Sequence, residues 1–192
     1  YANGVRYEGG FQNAMHHGTG RLTGPDGYVY EGAWVNGVKE GEGRITYADG
    51  STYEGELQGG DRHGQGRLTM PDGFAYTGGW VNGRIEGEGT LTYANGDIYT
   101  GPLVDGLRMG EGVVEHANGD RYEGGFLDDL RHGQGILTAA DGYRYEGGWA
   151  EGQIDGEGEI TWPDGSVQTG TFAAGLATGE GRITYADGAT YV

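Results

Sequence analysis

The stretch Tyr30–Thr52, YEGAWVNGVKEGEGRITYADGST, is the unit from which the rest of the chain is built. Its first residue recurs every 23 residues, and the exception in this series is Gln168. Three positions of the unit are glycine in all eight copies, and a fourth glycine closes each unit. Repetition at a short fixed period is typical of a repeat array. The tyrosines of the series are Tyr7, Tyr30, Tyr53, Tyr76, Tyr99, Tyr122, Tyr145 and Tyr191.

This period divides the chain into eight consecutive repeats. Residues 1–6 are predicted to be the tail of a preceding repeat and residues 191–192 the start of a further one. We therefore expect the sequence to be a piece of a longer array. Repeats 1 to 8 are predicted at 7–29, 30–52, 53–75, 76–98, 99–121, 122–144, 145–167 and 168–190.

Composition narrows the class of protein. Of 192 residues, 45 are glycine and none is cysteine, so disulfides are excluded and a cytosolic location fits. The net charge of −17 disfavours binding to nucleic acid and nonspecific attraction to anionic membranes. It favours a basic partner. No apolar run approaches the roughly 20 residues that span a bilayer.

Each repeat contains two strand signals and no helical periodicity. Tyr-Glu-Gly-x-Trp and Gly-Glu-Gly-Arg-Ile-Thr-Tyr are rich in aromatic and β-branched residues and are bounded by glycine-rich turns. The sequence therefore predicts an all-β fold. We expect an elongated, twisted, single-layer antiparallel sheet, formed by a solenoid-like array of β-hairpin repeats.

The loop between repeats predicts the strand register. Ala48–Gly50 suits a three-residue loop that ends with glycine in the left-handed conformation. A two-residue loop would place Tyr53 against Thr46 and split the apolar side chains between the two faces. The three-residue loop is predicted to pair Tyr47 with Ser51, Ile45 with Tyr53, Gly43 with Gly55, and Gly41 with Leu57.

One face of this sheet is then aromatic and the other is charged. Because glycine has no side chain, a neighbouring ring can lie flat on the backbone and bury itself without a second layer. On the opposite face Arg21 is expected to pair with Glu31 and Arg44 with Glu54, each pair contributing roughly 0.2–1 kcal/mol.

The repeat resembles the MORN (membrane occupation and recognition nexus) repeat over essentially the whole chain. The resemblance implies a non-catalytic sheet used in scaffolding, protein binding and phospholipid contact. A chain of repeats alone is most similar to the cytoskeleton-associated members, which are assembly platforms and often dimerise. The matching residues of repeat 2 are Tyr30, Gly32, Trp34, Gly37, Gly41, Gly43, Tyr47, Asp49 and Gly50.

We therefore expect a scaffold that binds itself and other cytoskeletal proteins, in the cytoplasm, on the cytoskeleton or at the membrane cortex. The homodimer interface is placed in Ser166–Val192, where glutamine replaces the repeated tyrosine and the turn at Leu176 is apolar. Its candidate residues are Gln168, Phe172, Leu176, Ile183, Tyr185 and Tyr191.

Two alternatives remain open. The first is a phospholipid-binding module with phosphoinositide as its ligand. The second is an adaptor that binds a helix or peptide along the aromatic face. For a partner surface the candidates are Trp34 and Trp80 on that face, and Val113 and Ile136, which replace arginines on the polar face.

The fifth repeat departs from the pattern. Pro102 lies within a strand, where it cannot donate a ladder hydrogen bond. We predict a bend, bulge or change of twist near this residue.

Nothing in the sequence predicts an enzyme. The carboxylates recur with the repeat, so they are strand positions, and His17 and His63 are two repeats apart, too far for one metal ion. We expect no catalytic residue, no cofactor and no metal. The remaining histidines are His16, His116 and His132.

Overall fold

Strands joined by tight turns account for nearly all of the fold. The computed structural model describes residues 4–192, and this range contains no helix. It therefore has no helical segment of the length and apolarity that crossing a bilayer requires. The chain divides into two units, residues 1–94 and residues 95–192. Residues 1–3 of the predicted leading tail lie outside the described residues, and the first strand begins at Arg6.

The first unit is an antiparallel sheet in which each strand pairs with the next along the chain. Its strands are β1 Arg6–Gln12, β2 Met15–Thr23, β3 Val29–Val35, β4 Val38–Thr46, β5 Thr52–Gln58, β6 Asp61–Thr69, β7 Ala75–Val81 and β8 Arg84–Thr92.

The second unit is also antiparallel, with each strand paired to the next, except that Leu107–Arg108 and Gly110–Glu115 both pair with Ile98–Val104. Its strands are β9 Ile98–Val104, β10 Leu107–Arg108, β11 Gly110–Glu115, β12 Arg121–Leu127, β13 Leu130–Thr138, β14 Arg144–Ala150, β15 Gln153–Thr161, β16 Val167–Ala173, β17 Leu176–Thr184 and β18 Thr190–Tyr191. Met109 separates β10 from β11, and its N–H donates to the carbonyl of Pro102 at 3.1 Å. The bend at Pro102 stays a prediction.

The predicted register is confirmed. Gly43 pairs with Gly55 and Ile45 with Tyr53, and the loop between them spans three residues. The Gly50 N–H donates to the Tyr47 carbonyl, and Gly50 has a φ of 86°, in the left-handed region. Glycine is favoured there because a Cβ would be strained.

The turns at the other end of each hairpin are of a different kind. In repeat 2, Asn36 and Gly37 both have positive φ, at 50° and 86°. Positive φ at both central residues is the signature of a type I′ turn, whose twist matches that of the flanking strands. These turns form the hairpin tips, and apolar residues flank several of them, as Val35 and Val38 do here.

The core of each unit is the face on which tyrosine rings lie over glycines. Tyr53 is fully buried, and a Cβ added at Gly66 would lie 2.3 Å from its hydroxyl oxygen. The same hydroxyl donates to the carbonyl of Glu56 at 2.7 Å. The predicted packing of rings on glycine is therefore confirmed, and each hydroxyl keeps a hydrogen bond when it is buried.

The predicted ion pairs of the polar face are also confirmed. Arg21 Nε lies 2.9 Å from Glu31, and Arg44 lies 3.2 Å from Glu54. All four side chains are about half exposed, so each pair contributes about 0–1 kcal/mol.

Candidate interaction surface

The aromatic face is a row of interleaved rings. Trp34 lies edge-on between Tyr7 and Tyr30, with ring centroids 5.4 and 5.2 Å away. In the second unit Trp149 lies in the same way between Tyr122 and Tyr145. Edge-to-face pairs of this kind add roughly 0.5–1.5 kcal/mol beyond their buried area. In the second unit Phe126 and Phe172 extend the row, which is continuous there, whereas in the first unit Leu57 interrupts the rings between Tyr30 and Tyr53.

A cationic side chain covers many of the tyrosines from above. Arg131 lies over Tyr122 at 4.7 Å from the ring centroid, and Lys39 lies over Tyr30 at 5.1 Å. In repeat 1 the imidazole of His16 stacks on Tyr7 at 3.7 Å. Burial lowers the pKa of Lys39 and of Arg131, in keeping with side chains packed against the sheet.

We call this residue the cap position, and it lies nine residues after the first position of each repeat. It holds a large side chain in repeats 1 to 7 and a small one in repeat 8. The period of 23 residues places these residues in one series, so the position can be found from the sequence. From repeat 1 to repeat 8 the cap residues are His16, Lys39, Arg62, Ile85, Arg108, Arg131, Ile154 and Ala177.

The next residue along the strand contacts the following hairpin tip. The Nδ1 atom of His17 accepts a hydrogen bond from the Asn36 N–H, and Glu40 accepts one from the Gly59 N–H. His63 contacts Asn82 in the same way. These histidines are therefore structural acceptors that link one hairpin tip to the next.

The eighth repeat has glutamine instead of tyrosine at its first position, and alanine at its cap position. An open pocket of about 550 Å³ lies here, lined by Gln168, Gly170, Ala177, Gly181 and Ile183 among others. Gly181 is exposed, whereas Gly158, one repeat earlier, is half-buried. The glycines that lie under a ring elsewhere therefore face open space in this repeat.

The candidate dimer residues differ in their exposure. Leu176 is 72% exposed at a hairpin tip, Tyr185 is 46% exposed and Tyr191 is 67% exposed. Phe172 is buried, and its ring lies edge-on to Tyr145. The remaining two, Gln168 and Ile183, are half-buried and line the pocket.

The candidate partner residues also lie in different places. Trp34 and Trp80 are buried, at 4% and 2% exposure, and each indole N–H donates to a backbone carbonyl. Val113 and Ile136 are half-buried and lie on either side of Glu123, which pairs with both. The tryptophans are thus part of the core, while the two aliphatic residues share one row of the polar face.

His116 of the fifth repeat contacts Asp97 of the fourth without forming a metal site. His116 Nδ1 lies 2.9 Å from Asp97, and Arg131 lies 3.4 Å from His116 Nε2. A hydrogen bond from the Ala117 N–H, followed by that of His116, lowers the pKa of Asp97. Among residues 4–192, no group of three or more histidine, cysteine, aspartate or glutamate side chains could hold a metal ion.

The family of the chain follows from its repeats. The model of the MORN repeat family matches residues 7–27, 30–52, 53–74, 76–98, 99–121, 122–142, 145–167 and 169–190. The chain therefore belongs to the MORN repeat family. A comparison with curated proteins finds no match.

Solved structures with a similar fold include domains of CPAP and of SAS-4. The G-box domain of the microcephaly protein CPAP aligns with a TM-score of 0.57 and 16% identity, covering 98% of this chain and 97% of that one. The TCP domain of Drosophila melanogaster SAS-4, solved in complex with a proline-rich motif of Ana2, aligns with a TM-score of 0.51 and 14% identity, covering 88% and 90%. At these identities the likeness concerns the fold.

Proposed function

We propose that this chain is a non-catalytic protein-interaction scaffold of a cytoskeletal or membrane-cortical assembly, and that it homodimerises through its eighth repeat. The main support for this interface is the exposed apolar surface of the eighth repeat, where Leu176 is 72% exposed near the uncovered glycines. Exposed apolar patches commonly mark protein contacts. The proline-rich motif bound by the TCP domain of SAS-4 supports a protein as the partner of such a sheet.

Leu176→Glu tests the dimer. We expect the unaltered chain to have twice its composition mass of 20.3 kDa by size-exclusion chromatography with light scattering. The variant is expected to be a monomer, because a carboxylate would be buried without a partner in the interface.

The matched control is Leu130→Glu, at the same hairpin-tip position two repeats earlier, where the leucine is 48% exposed. It should leave the dimer intact. A monomeric unaltered chain would refute the dimer, and a dimer broken by Leu130→Glu alone would move the interface to the sixth repeat.

The alternatives have their own tests. Phospholipid binding predicts that the chain floats with phosphoinositide liposomes, although its net charge of −17 opposes this. An adaptor that binds along the aromatic face predicts peptide binding that is lost on changing Trp34 and Trp80. Because both indoles are buried, circular dichroism must show that those variants still fold.

A further inference from the structure

The repeats show what kind of group fits on their glycines. In repeat 7 the ring of Tyr145 lies on Gly147 and Gly158, where an added Cβ would be 2.5 Å from the hydroxyl oxygen. That hydroxyl donates to the carbonyl of Gly148, three residues further on, at 2.9 Å. Tyr122 and Tyr53 make the corresponding bonds to Gly125 and Glu56. Each position thus provides a glycine floor, a carbonyl acceptor and a covering cap residue for one phenol ring.

The eighth repeat keeps the floor and the acceptor but has neither the ring nor the cap. Gly170 pairs with Gly181, as in the other repeats, but the atoms nearest to an added Cβ at Gly170 are backbone atoms at 3.2 and 3.4 Å. The equivalent acceptor is the carbonyl of Thr171, which has a long 3.4 Å contact with the Thr178 hydroxyl.

Two substitutions therefore combine to form the pocket. Gln168 occupies the position that is tyrosine in repeats 1 to 7, and Ala177 occupies the cap position, which holds a larger residue in those repeats. Both residues line the pocket of about 550 Å³. Residues of the polar face and of the last strand also line it, among them Thr169, Arg182 and Tyr191, so the volume includes space beyond that of the missing ring and cap.

The charged residues around this pocket indicate which charge its ligand should carry. Two charged side chains line the pocket itself, Glu180 and Arg182, but Arg182 is the single lysine or arginine of residues 145–190, so the wider surroundings are negative. A ligand that carries positive charge would be attracted to this part of the chain. The carboxylates of the same range are Glu146, Glu151, Asp155, Glu157, Glu159, Asp164, Glu180 and Asp187.

We propose that this pocket binds the tyrosine side chain of a partner peptide in which lysine or arginine flanks the tyrosine. The ring lies on Gly170 and Gly181 and donates its hydroxyl to the Thr171 carbonyl. The flanking cation occupies the space above Ala177, as Arg131 does above Tyr122. This inference rests on the proposed role of the eighth repeat as an interaction surface, but it does not require dimerisation.

A peptide titration followed by NMR tests the proposal. The probe is the peptide GGKYKGG, added to the ¹⁵N-labelled chain carrying Leu176→Glu, so that self-association does not cover the pocket. We expect saturable shifts of the Gly170 and Gly181 amides. Binding should weaken at least tenfold when serine replaces the peptide tyrosine, and also when glutamates replace both lysines.

Two variants make the test specific to the pocket. Gln168→Tyr supplies the missing ring from within the chain and should abolish the shifts. Thr77→Tyr is the matched control, because Thr77 holds the second position of repeat 4, is exposed on the polar face between Arg67 and Thr90, and lies outside the pocket. It should leave binding unchanged.

Several results would overturn the proposal. Binding that survives Gln168→Tyr, or that is equal for the serine peptide, would place the peptide elsewhere or make the contact purely electrostatic. If the Leu176→Glu chain shows no peptide shifts while the Gly170 and Gly181 amides of the unaltered chain shift with its own concentration, a second copy is the occupant. One result would separate the two proposals: an unaltered chain that is monomeric and binds the peptide would refute the dimer but support the pocket.

Discussion

Single glycines set how closely a ring can approach the backbone. Gly158 and Gly181 occupy the same position in repeats 7 and 8, but only Gly158 has a ring above it. A Cβ at Gly158 would lie 2.5 Å from the Tyr145 hydroxyl oxygen, and at Gly181 it would lie 2.9 Å from one backbone oxygen. The two positions therefore compare the cost of displacing a ring with the cost of one close contact to the backbone.

We expect Gly158→Ala to lower the free energy of unfolding of its unit by about 1–3 kcal/mol, the usual cost of overpacking. Gly181→Ala should cost less, because its Cβ meets one backbone oxygen at 2.9 Å, whereas the Cβ at Gly158 meets three atoms of the Tyr145 side chain at 2.5–2.7 Å. Urea unfolding followed by tyrosine and tryptophan fluorescence measures both. Equal losses for the two variants would mean that the ring contact is not what requires glycine.

The sequence predicted that tyrosine rings lie over glycines, but it did not predict that the side chains at the cap position cover those rings. Tyr53 on Gly66 follows from the register, since both residues lie on one face of neighbouring strands. The cap position was missed because lysine, arginine and isoleucine do not share a polarity. They share a long aliphatic stem that packs on a ring, and this similarity is one of shape.

At the scale of strands and turns, the loop between repeats carries the register. Gly50 has a φ of 86°, and the nearest atom to an added Cβ is 3.5 Å away, so space is not limiting there. Asp49 accepts bonds from the Ser51 N–H and hydroxyl at 2.9 and 2.6 Å, which lowers the pKa of its carboxyl. The left-handed backbone conformation alone therefore explains why residue 50 is glycine.

Gly50→Ala is expected to destabilise the first unit by about 1–2 kcal/mol, the cost of a left-handed conformation for an L-residue. Gly50→Asn should cost less, because asparagine tolerates this conformation better. Thermal unfolding by circular dichroism ranks the variants. If asparagine and alanine are equally destabilising, crowding rather than backbone strain governs the position.

The sequence predicts the loop between repeats better than it predicts the turn at the hairpin tip. The three-residue loop was readable because Pro or Ala, Asp or Asn, and Gly recur in a fixed order. The hairpin tip was not, because it varies between Asn36–Gly37, Gly59–Gly60 and Ala174–Gly175. Hydrogen bonds from one tip to the side chain of the preceding hairpin hold these turns, so their conformation depends on a neighbour as well as on their own residues.

At the scale of the whole molecule, stability should depend on pH through the buried tyrosines. Burial is the largest cause that raises the pKa of Tyr30, Tyr53, Tyr76 and Tyr122 to about 12, above the ordinary value of 10.0. A folded-state pKa above the unfolded one means that folding favours the neutral phenol. The associated stability is therefore complete below pH 10 and is lost as the pH rises towards 12.

We expect the free energy of unfolding, measured in urea at several pH values from 7 to 11.5, to fall steeply above pH 10. Absorbance at 295 nm should show these tyrosines ionising together with unfolding, while exposed tyrosines titrate earlier. Tyr122→Phe provides the control: it loses the bond to the Gly125 carbonyl, made at 3.0 Å, and is therefore less stable at pH 7. Because phenylalanine cannot ionise, its unit should lose stability less steeply above pH 10 than the unaltered chain. An identical slope in the two proteins would show that other groups drive the alkaline transition, and the buried phenols would then matter for packing alone.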